Sequence, residues 1–206
     1  MLTTFNAMLP YLMPDVPGCP ENMALHALRA AAREFCGRTE LWKKELVEID
    51  VVADQQLYSL DPDVTAGVEP EIRRIDKVKL YGALMPIDRY DLVEYTSGTP
   101  ATAQSLRWDD AHIPATAAVD GLIVTAILVP DWATDALPDI LMTRWGDGIV
   151  AKAAFDLLTL PGRGWTNDLR ATIRMSEWLR RVNEGIKERY TGQKNASVKL
   201  AMPSWA

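Results

Sequence analysis

The stretch Gly121-Leu122-Ile123-Val124-Thr125-Ala126-Ile127-Leu128-Val129 is the most strand-like part of the chain. Its apolar run is broken only by Thr125, and it is far shorter than the ~20 apolar residues that a membrane-spanning helix needs. Pro130 and Pro138 follow it. Because proline interrupts strands but suits the first turn of a helix, this sequence predicts a buried strand that ends near Pro130 and a helix that opens at Pro138.

Shorter extended segments precede this strand. Their apolar residues alternate, and Gly82-Ala83 is placed to turn one segment back on the next as a hairpin. Residues 88–95 are interpreted as one helical turn. Short strands are predicted at residues 46–51, 57–60, 72–80, 84–87, 104–108 and 112–114.

Helical periodicity flanks the strands on both sides. A short helix is predicted over residues 3–13, and a firmer one runs from Pro20 to Gly37, where glycine suits a left-handed helix end. After Pro138, apolar residues recur every three or four positions in two further helices, the last of which is capped by Thr166 or Asn167. The side chains expected to be buried between these two helices and the second helix are Leu141, Trp145, Ile149, Leu179, Val182 and Ile186.

The order of the predicted elements is helices, then strands, then helices. Such segregated blocks are typical of an α+β fold rather than of a parallel α/β sheet. We therefore expect a helical bundle built from both chain ends, residues 1–40 and 135–191, with a β-rich insertion at 41–134. Residues 192–206 are expected to form an extended C-terminal arm.

Composition and charge exclude several classes of protein. With 48% hydrophobic and 24% charged residues, the chain is not disordered. Its net charge of −6 is divided unevenly: residues 38–140 carry −10 and residues 141–206 carry +5. An acidic protein with no clustered cations is a poor candidate for wrapping nucleic acid.

Few residues are suited to catalysis. His112 follows Asp109 and Asp110, which leaves open a hydrolase that uses these three, although a role in a turn is the simpler interpretation. The cysteines, Cys19 and Cys36, stand at opposite ends of one predicted helix, about 25 Å apart, too far for a disulfide or a shared metal. With no phosphate-binding loop, nucleophile elbow or dinucleotide fingerprint, the sequence predicts no catalytic residues, no metal site and no cofactor.

Two further features have both a structural and a functional interpretation. Gly146 and Gly148 lie inside an otherwise strong helix, where they permit either close helix packing against Trp165 and its neighbours or the approach of a ligand. The C-terminal segment either packs on its own domain, or frays, or docks on a partner through its apolar side chains. Those side chains are Val198, Leu200, Met202 and Trp205.

Several segments together resemble one family, the head-to-tail adaptor (connector) proteins of tailed bacteriophages, and especially those of short-tailed phages. The resemblance covers most of the chain in order. The segments that carry it are Leu12-Met13-Pro14-Asp15-Val16-Pro17-Gly18-Cys19-Pro20, Ala27-Leu28-Arg29-Ala30-Ala31-Ala32-Arg33-Glu34-Phe35-Cys36, Leu137-Pro138-Asp139-Ile140-Leu141, Ala151-Lys152-Ala153-Ala154-Phe155-Asp156-Leu157-Leu158 and Leu160-Pro161-Gly162-Arg163-Gly164-Trp165-Thr166-Asn167.

The resemblance implies a structural virion protein and not an enzyme. It implies a ring of about twelve copies in the phage neck, below the portal protein and above the tail tube or nozzle protein. DNA would pass through this channel without specific binding, and no membrane would be involved; the protein would be made in the bacterial cytoplasm. The C-terminal arm would dock on the portal through Val198, Leu200, Met202 and Trp205.

In such a ring, the acidic middle of one subunit and the basic C-terminal part of its neighbour are natural complements. The residues expected at this contact are Arg170, Arg174, Arg181 and Lys187. Two alternatives stay open: a small monomeric or dimeric binding or regulatory module, and the hydrolase described above.

Overall fold

The computed structural model describes residues 2–62, 70–95 and 103–192. In these ranges short 3₁₀ turns separate some of the strands and α-helices, which follow one another closely. In chain order they are β1 Leu2–Thr4, α1 Leu9–Leu12, α2 Glu21–Thr39, β2 Lys43–Glu45, β3 Ile49–Val51, β4 Leu57–Ser59, β5 Pro70–Leu80, β6 Ala83–Leu84, β7 Tyr90–Tyr95, β8 Ala103–Trp108, β9 Ala118–Pro130, β10 Ala136–Pro138, α3 Asp139–Leu158 and α4 Asp168–Gly192.

Strand β9, which contains the apolar stretch 121–129, is the centre of the main sheet. It pairs with β2 and β3 along one edge and with β5 along the other, always antiparallel, and β5 continues to β6. The β5–β9 register shifts between Ile72 and Arg74 and again between Ile75 and Lys77. Such bulges increase local twist, and the sheet is curled into a half-barrel.

A second sheet has the strand order β4-β8-β7, and the Gln104 side chain of β8 links it to β5. The Gln104 amide accepts a hydrogen bond from the Ile72 backbone N–H and donates one to the Ile72 carbonyl, both at 2.7 Å. The side chain thereby imitates a strand partner for β5. At the other end of the chain, β1 pairs with β10 and fixes the N-terminal segment beside the start of α3.

Helices and sheet share one apolar core. Helix α2 packs on α3, on α4 and on β9. Phe35 of α2 lies 5.6 Å from Trp145 of α3 and 5.8 Å from Trp178 of α4, measured between ring centroids, so three aromatic rings join the three helices. Leu122 and Val124 of β9 belong to the same buried cluster as these rings.

The predicted helical bundle with a β-rich insertion is therefore wrong. The fold is mixed, with a curled antiparallel sheet whose buried face meets the helices in one core. The predicted helix over residues 3–13 is also mostly absent: β1 comes first, then a 3₁₀ turn over Phe5–Met8 and the four residues of α1.

Several local predictions need correction as well. Residues 90–95 form strand β7 rather than a helical turn, and the segment predicted as a strand near His112 is a 3₁₀ turn over Asp110–His112. The hairpin turn between β5 and β6 is Tyr81-Gly82, with φ of 52° and 78°, which is typical of a tight two-residue hairpin.

Helix α2 runs past Gly37, and Glu40 takes the left-handed position at φ 53°. Gly37 instead makes room for Arg73, because a Cβ at position 37 would lie 2.6 Å from Arg73 Nη1. The Glu40 carboxylate binds Arg74 of β5, with Nε at 3.0 Å, and Arg189 of α4, with Nη1 at 2.6 Å. A glycine at position 40 would adopt this backbone conformation more easily, but it could not form the bridge between β5 and α4 that the Glu40 carboxylate makes.

Most of the predicted core residues are confirmed, with one error. Leu141, Trp145, Ile149 and Val182 are buried and Ile186 is half-buried. The prediction that Leu179 is buried is wrong, because this residue is 42% exposed. The buried stripe of α4 lies about one residue earlier along the chain and consists of Ala171, Trp178, Val182 and Gly185.

The difference between Trp178 and Leu179 gives a direct test of this packing. Trp178→Ala should lower the free energy of unfolding by about 3–5 kcal/mol, because it empties a site between three helices. Leu179→Ala, its neighbour on the exposed side, should cost less than about 1 kcal/mol. Denaturant unfolding measures both, and equal losses would contradict the packing of α4 described above.

Candidate interaction surfaces

The predicted inter-subunit cations fall into two groups. Arg174 forms ion pairs with Asp15 and Glu177, both at 2.7 Å. Arg181 pairs with Asp147 on α3 and with Glu184. The hydrogen bond that Arg181 donates to the Asp147 carboxylate raises the pKa of the Arg181 side chain. These two arginines therefore hold α4 onto its own domain.

Arg170 and Lys187 are different, because both are exposed and neither forms an ion pair with another residue in the described ranges. They are available to a neighbouring molecule. Whether any of the four cations contacts a second subunit stays a prediction.

Helix α4 presents a continuous exposed stripe on the side away from the core, which we call the outer face. Its residues follow one another at spacings of four and three, so they lie along one line of the helix. Leu169 is 76% exposed and Ile173 is 54% exposed, although both are large and apolar. The outer face consists of Leu169, Ile173, Ser176, Arg180, Asn183 and Lys187.

The start of this helix is fixed by its own sequence. The Asn167 side chain accepts a hydrogen bond from the Arg170 backbone N–H at 3.0 Å, and Asp168 lies in the first turn beside the positive end of the helix dipole. The outer face is therefore held rigidly from its first turn, and its apolar residues are exposed by the position of a well-formed helix.

A groove of about 760 Å³ runs between the N-terminal segment, α3 and α4. Gly146 forms part of its wall, where a Cβ would lie 3.1 Å from Met8 Cε. A Cβ at Gly148 would lie 2.8 Å from Arg181 Cβ. Both glycines therefore allow close packing, which was one of the two interpretations of the sequence. Their neighbours are Met8 and Arg181, however, and not Trp165 as predicted.

The residues of the alternative hydrolase form a surface turn. His112 Nδ1 lies 3.2 Å from an Asp109 carboxylate oxygen, while Asp110 accepts a hydrogen bond from Gln56 Nε2 at 2.6 Å and so belongs to a separate contact. Within the described parts of the chain, no three His, Cys, Asp or Glu side chains are arranged to hold a metal ion. The backbone of Asp109 is fixed by its N–H, which donates to the Arg89 carbonyl at 3.0 Å.

Both cysteines are buried and unpaired. Burial raises the pKa of Cys36 to about 12 and also raises the pKa of Cys19. Each thiol therefore stays protonated at neutral pH, which agrees with a role in packing.

A second exposed apolar surface, not predicted from the sequence, lies at the end of the main sheet where β9 begins. We call residues 47–54 and 116–121 the β tip. Val119 is 81% exposed, Val47 is 65% exposed and Val52 is 50% exposed. The available signal was the imperfect alternation over residues 46–51, since Leu46 is buried and Val47 points outward.

The predicted portal-docking residues Val198, Leu200, Met202 and Trp205 lie outside the described residues. Of the helices that the structure does describe, none is both long and apolar enough to span a bilayer. No protein-family model matches the chain, and a search of the curated proteins finds no related sequence.

The two glycines of α3 make a matched pair for a test of the packing around this helix. Gly148→Ala should lower the melting temperature, because its Cβ meets the base of Arg181 where α3 and α4 cross, and this outweighs the gain in helix propensity of up to about 1 kcal/mol. Gly146→Ala should be neutral or stabilising, since Met8 Cε is the flexible end of a side chain. Thermal unfolding followed by circular dichroism would contradict this if Gly148→Ala were the more stable variant.

Proposed function

We propose that this chain is a structural head-to-tail adaptor of a tailed bacteriophage. It assembles with copies of itself into a ring below the portal protein, joins the portal to the tail tube or nozzle protein, and extends the channel through which DNA leaves the head. The observation that carries the proposal is the outer face of α4, a rigid exposed stripe with large apolar residues at one end and cations farther along.

A stripe of this kind supports side-by-side packing of subunits. Leu169 and Ile173 sit one turn apart on the same side of a helix of 25 residues, and their own domain does not use them. Exposed apolar surface rimmed by polar residues is typical of protein–protein contacts. Arg170 and Lys187 add free positive charge beside it, which suits an acidic neighbour.

The charge distribution also fits a protein that surrounds DNA without holding it. The net charge of −10 over residues 38–140 would repel phosphate from a channel wall. The proposal assigns no base-specific contact to the chain, and no catalytic step.

Imaging of the purified protein with the portal protein from the same genome tests the proposal. The expected result is a second ring on one face of the portal ring in negative-stain images, with a matching complex in native mass spectrometry. A chain that stays separate from the portal at every concentration tried would overturn it.

The C-terminal segment supplies a further prediction under this proposal. Deletion of residues 193–206 should leave the melting temperature unchanged, because they follow α4 and lie outside the core described above, and should abolish attachment to the portal. Replacing Val198, Leu200, Met202 and Trp205 with serine should have the same effect, since each buried apolar side chain contributes roughly 1.5–3 kcal/mol.

The matched control replaces only Lys194 and Lys199 with serine, which keeps the apolar side chains. This variant should still bind the portal in a pull-down or by native mass spectrometry. Unaltered binding by the deleted form would show that the segment does not dock on the portal.

A further inference from the structure

We propose that the β tip of one copy docks on the outer face of α4 of the next copy. This inference rests on the proposed function and names the contact that would build the ring. The occupant of the outer face is therefore a second copy of this chain, bound through a different surface from the one that it covers.

The β tip has the apolar centre that such a contact needs. Val47, Val52 and Val119 are all at least half exposed. Val119 belongs to β9, and Val47 and Val52 lie just before and just after β3. Strand β3 is paired with the start of β9, Ile49 with Leu122 and Val51 with Ala118. The three valines therefore lie at one end of the sheet, where together they can bury a continuous apolar area.

The charges of the two surfaces are opposite. The carboxylates of Glu48, Asp54 and Asp120 are exposed, and none of them forms an ion pair with another described residue. On the outer face and beside it, Lys187 and Arg170 carry free positive charges and Asp168 carries one free negative charge, so the net free charge there is positive. Acidic residues around an apolar centre on one surface and basic residues around an apolar centre on the other favour association in one register.

The β tip is held rigidly, so its docking costs little conformational entropy. The buried Tyr58 hydroxyl donates to the Val52 carbonyl at 2.9 Å and accepts from the Val52 N–H at 3.2 Å. The Asp50 carboxylate accepts a hydrogen bond from the Asp120 N–H at 2.9 Å, and the Tyr81 N–H donates to the Gly121 carbonyl at 2.8 Å.

The contacts of α2 show that the β tip and the apolar end of the outer face, at Leu169 and Ile173, lie toward opposite ends of the domain. From the β tip, β9 runs to Pro130, whose carbonyl binds Arg33, and the chain continues to Thr134, whose carbonyl binds Arg29. This direction leads from the β tip toward the N-terminal end of α2.

The first turns of α4 lie at that same N-terminal end of α2. Arg174 pairs there with Asp15, whereas Arg189, near the far end of α4, reaches Glu40 at the C-terminal end of α2. Leu169 and the β tip therefore lie toward opposite ends of α2. The β tip of one copy therefore cannot reach the apolar end of its own outer face. The contact joins two copies head-to-tail, and a contact of this type closes into a ring when the rotation between copies permits.

Neutralising the acidic tip in one variant and reversing the charge of the outer face in another, followed by mixing, tests the proposal. The tip variant is Glu48→Lys with Asp120→Asn; asparagine tolerates the left-handed backbone that Asp120 has at φ 50°. The face variant is Arg170→Glu with Lys187→Glu. The control, Asp88→Lys with Asp91→Asn, makes the same charge change as the tip variant at exposed acids just before and at the start of β7, outside the β tip.

Assembly on the portal is followed by native mass spectrometry at low ionic strength, where charges act over more than about 10 Å. Each variant alone should need an approximately tenfold higher concentration for half-maximal assembly. An equimolar mixture should assemble at a lower concentration than the face variant alone, because every second contact in an alternating ring then joins an unchanged acidic tip to an unchanged basic face. The control should assemble like the wild type, and circular dichroism should show all variants folded.

The outcomes separate this inference from the proposed function. If the wild type forms rings on the portal and either variant assembles equally well, or the mixture needs as high a concentration as the face variant alone, the contact proposed here is wrong and the adaptor function stands. If the wild type forms no ring on the portal, the adaptor function is wrong and the contact falls with it.

Discussion

The position of helix α2 is the constraint on which the rest of the structure depends. It packs on β9, α3 and α4 at once, so it joins the sheet to the other helices. Arg29 and Arg33 hold the segment that follows β9 through the carbonyls of Thr134 and Pro130, and Trp132 in that segment stacks on His26 with ring centroids 5.7 Å apart. At the other end of α2, Glu40 binds both β5 and α4.

Small residues explain how one helix serves so many neighbours. Ala24, Ala27, Ala31 and Ala32 are all buried, and alanine lets a backbone approach closely without losing helix propensity. The alanines were visible in the sequence, but the pattern could not show that one side of α2 meets a sheet. Because the same apolar stripe suits a helix or a sheet as its partner, segregated blocks of helix and strand were misinterpreted as a bundle with an insertion.

Local periodicity predicted what depends on neighbours in sequence. The strand over residues 121–129 and the helices that open near Pro20 and Pro138 appear where the pattern placed them, with small shifts at their ends. The choice of Trp178 over Leu179 for the core depends on Phe35, more than a hundred residues away, and helical spacing alone leaves such a choice uncertain by one residue. Similarly, the sequence marked four cations as candidates, but only long-range pairs such as Arg174 with Asp15 show which of them are already engaged.

Under the proposed function, a head-to-tail contact between copies carries a physical hazard, because a contact of this type that does not close continues into an open filament. A weak contact avoids this outcome. If each contact is too weak to persist alone, copies remain separate until the portal gathers them, and then many weak contacts act together with the effective concentration of a tethered assembly. The composition of the two surfaces fits this regime: each has only two or three large exposed apolar residues, and their charges remain in contact with solvent, where salt screens them. Under the proposed function, the rigidity of α4 and of the β tip would then determine the angle between neighbours, and with it the number of copies that closes a ring.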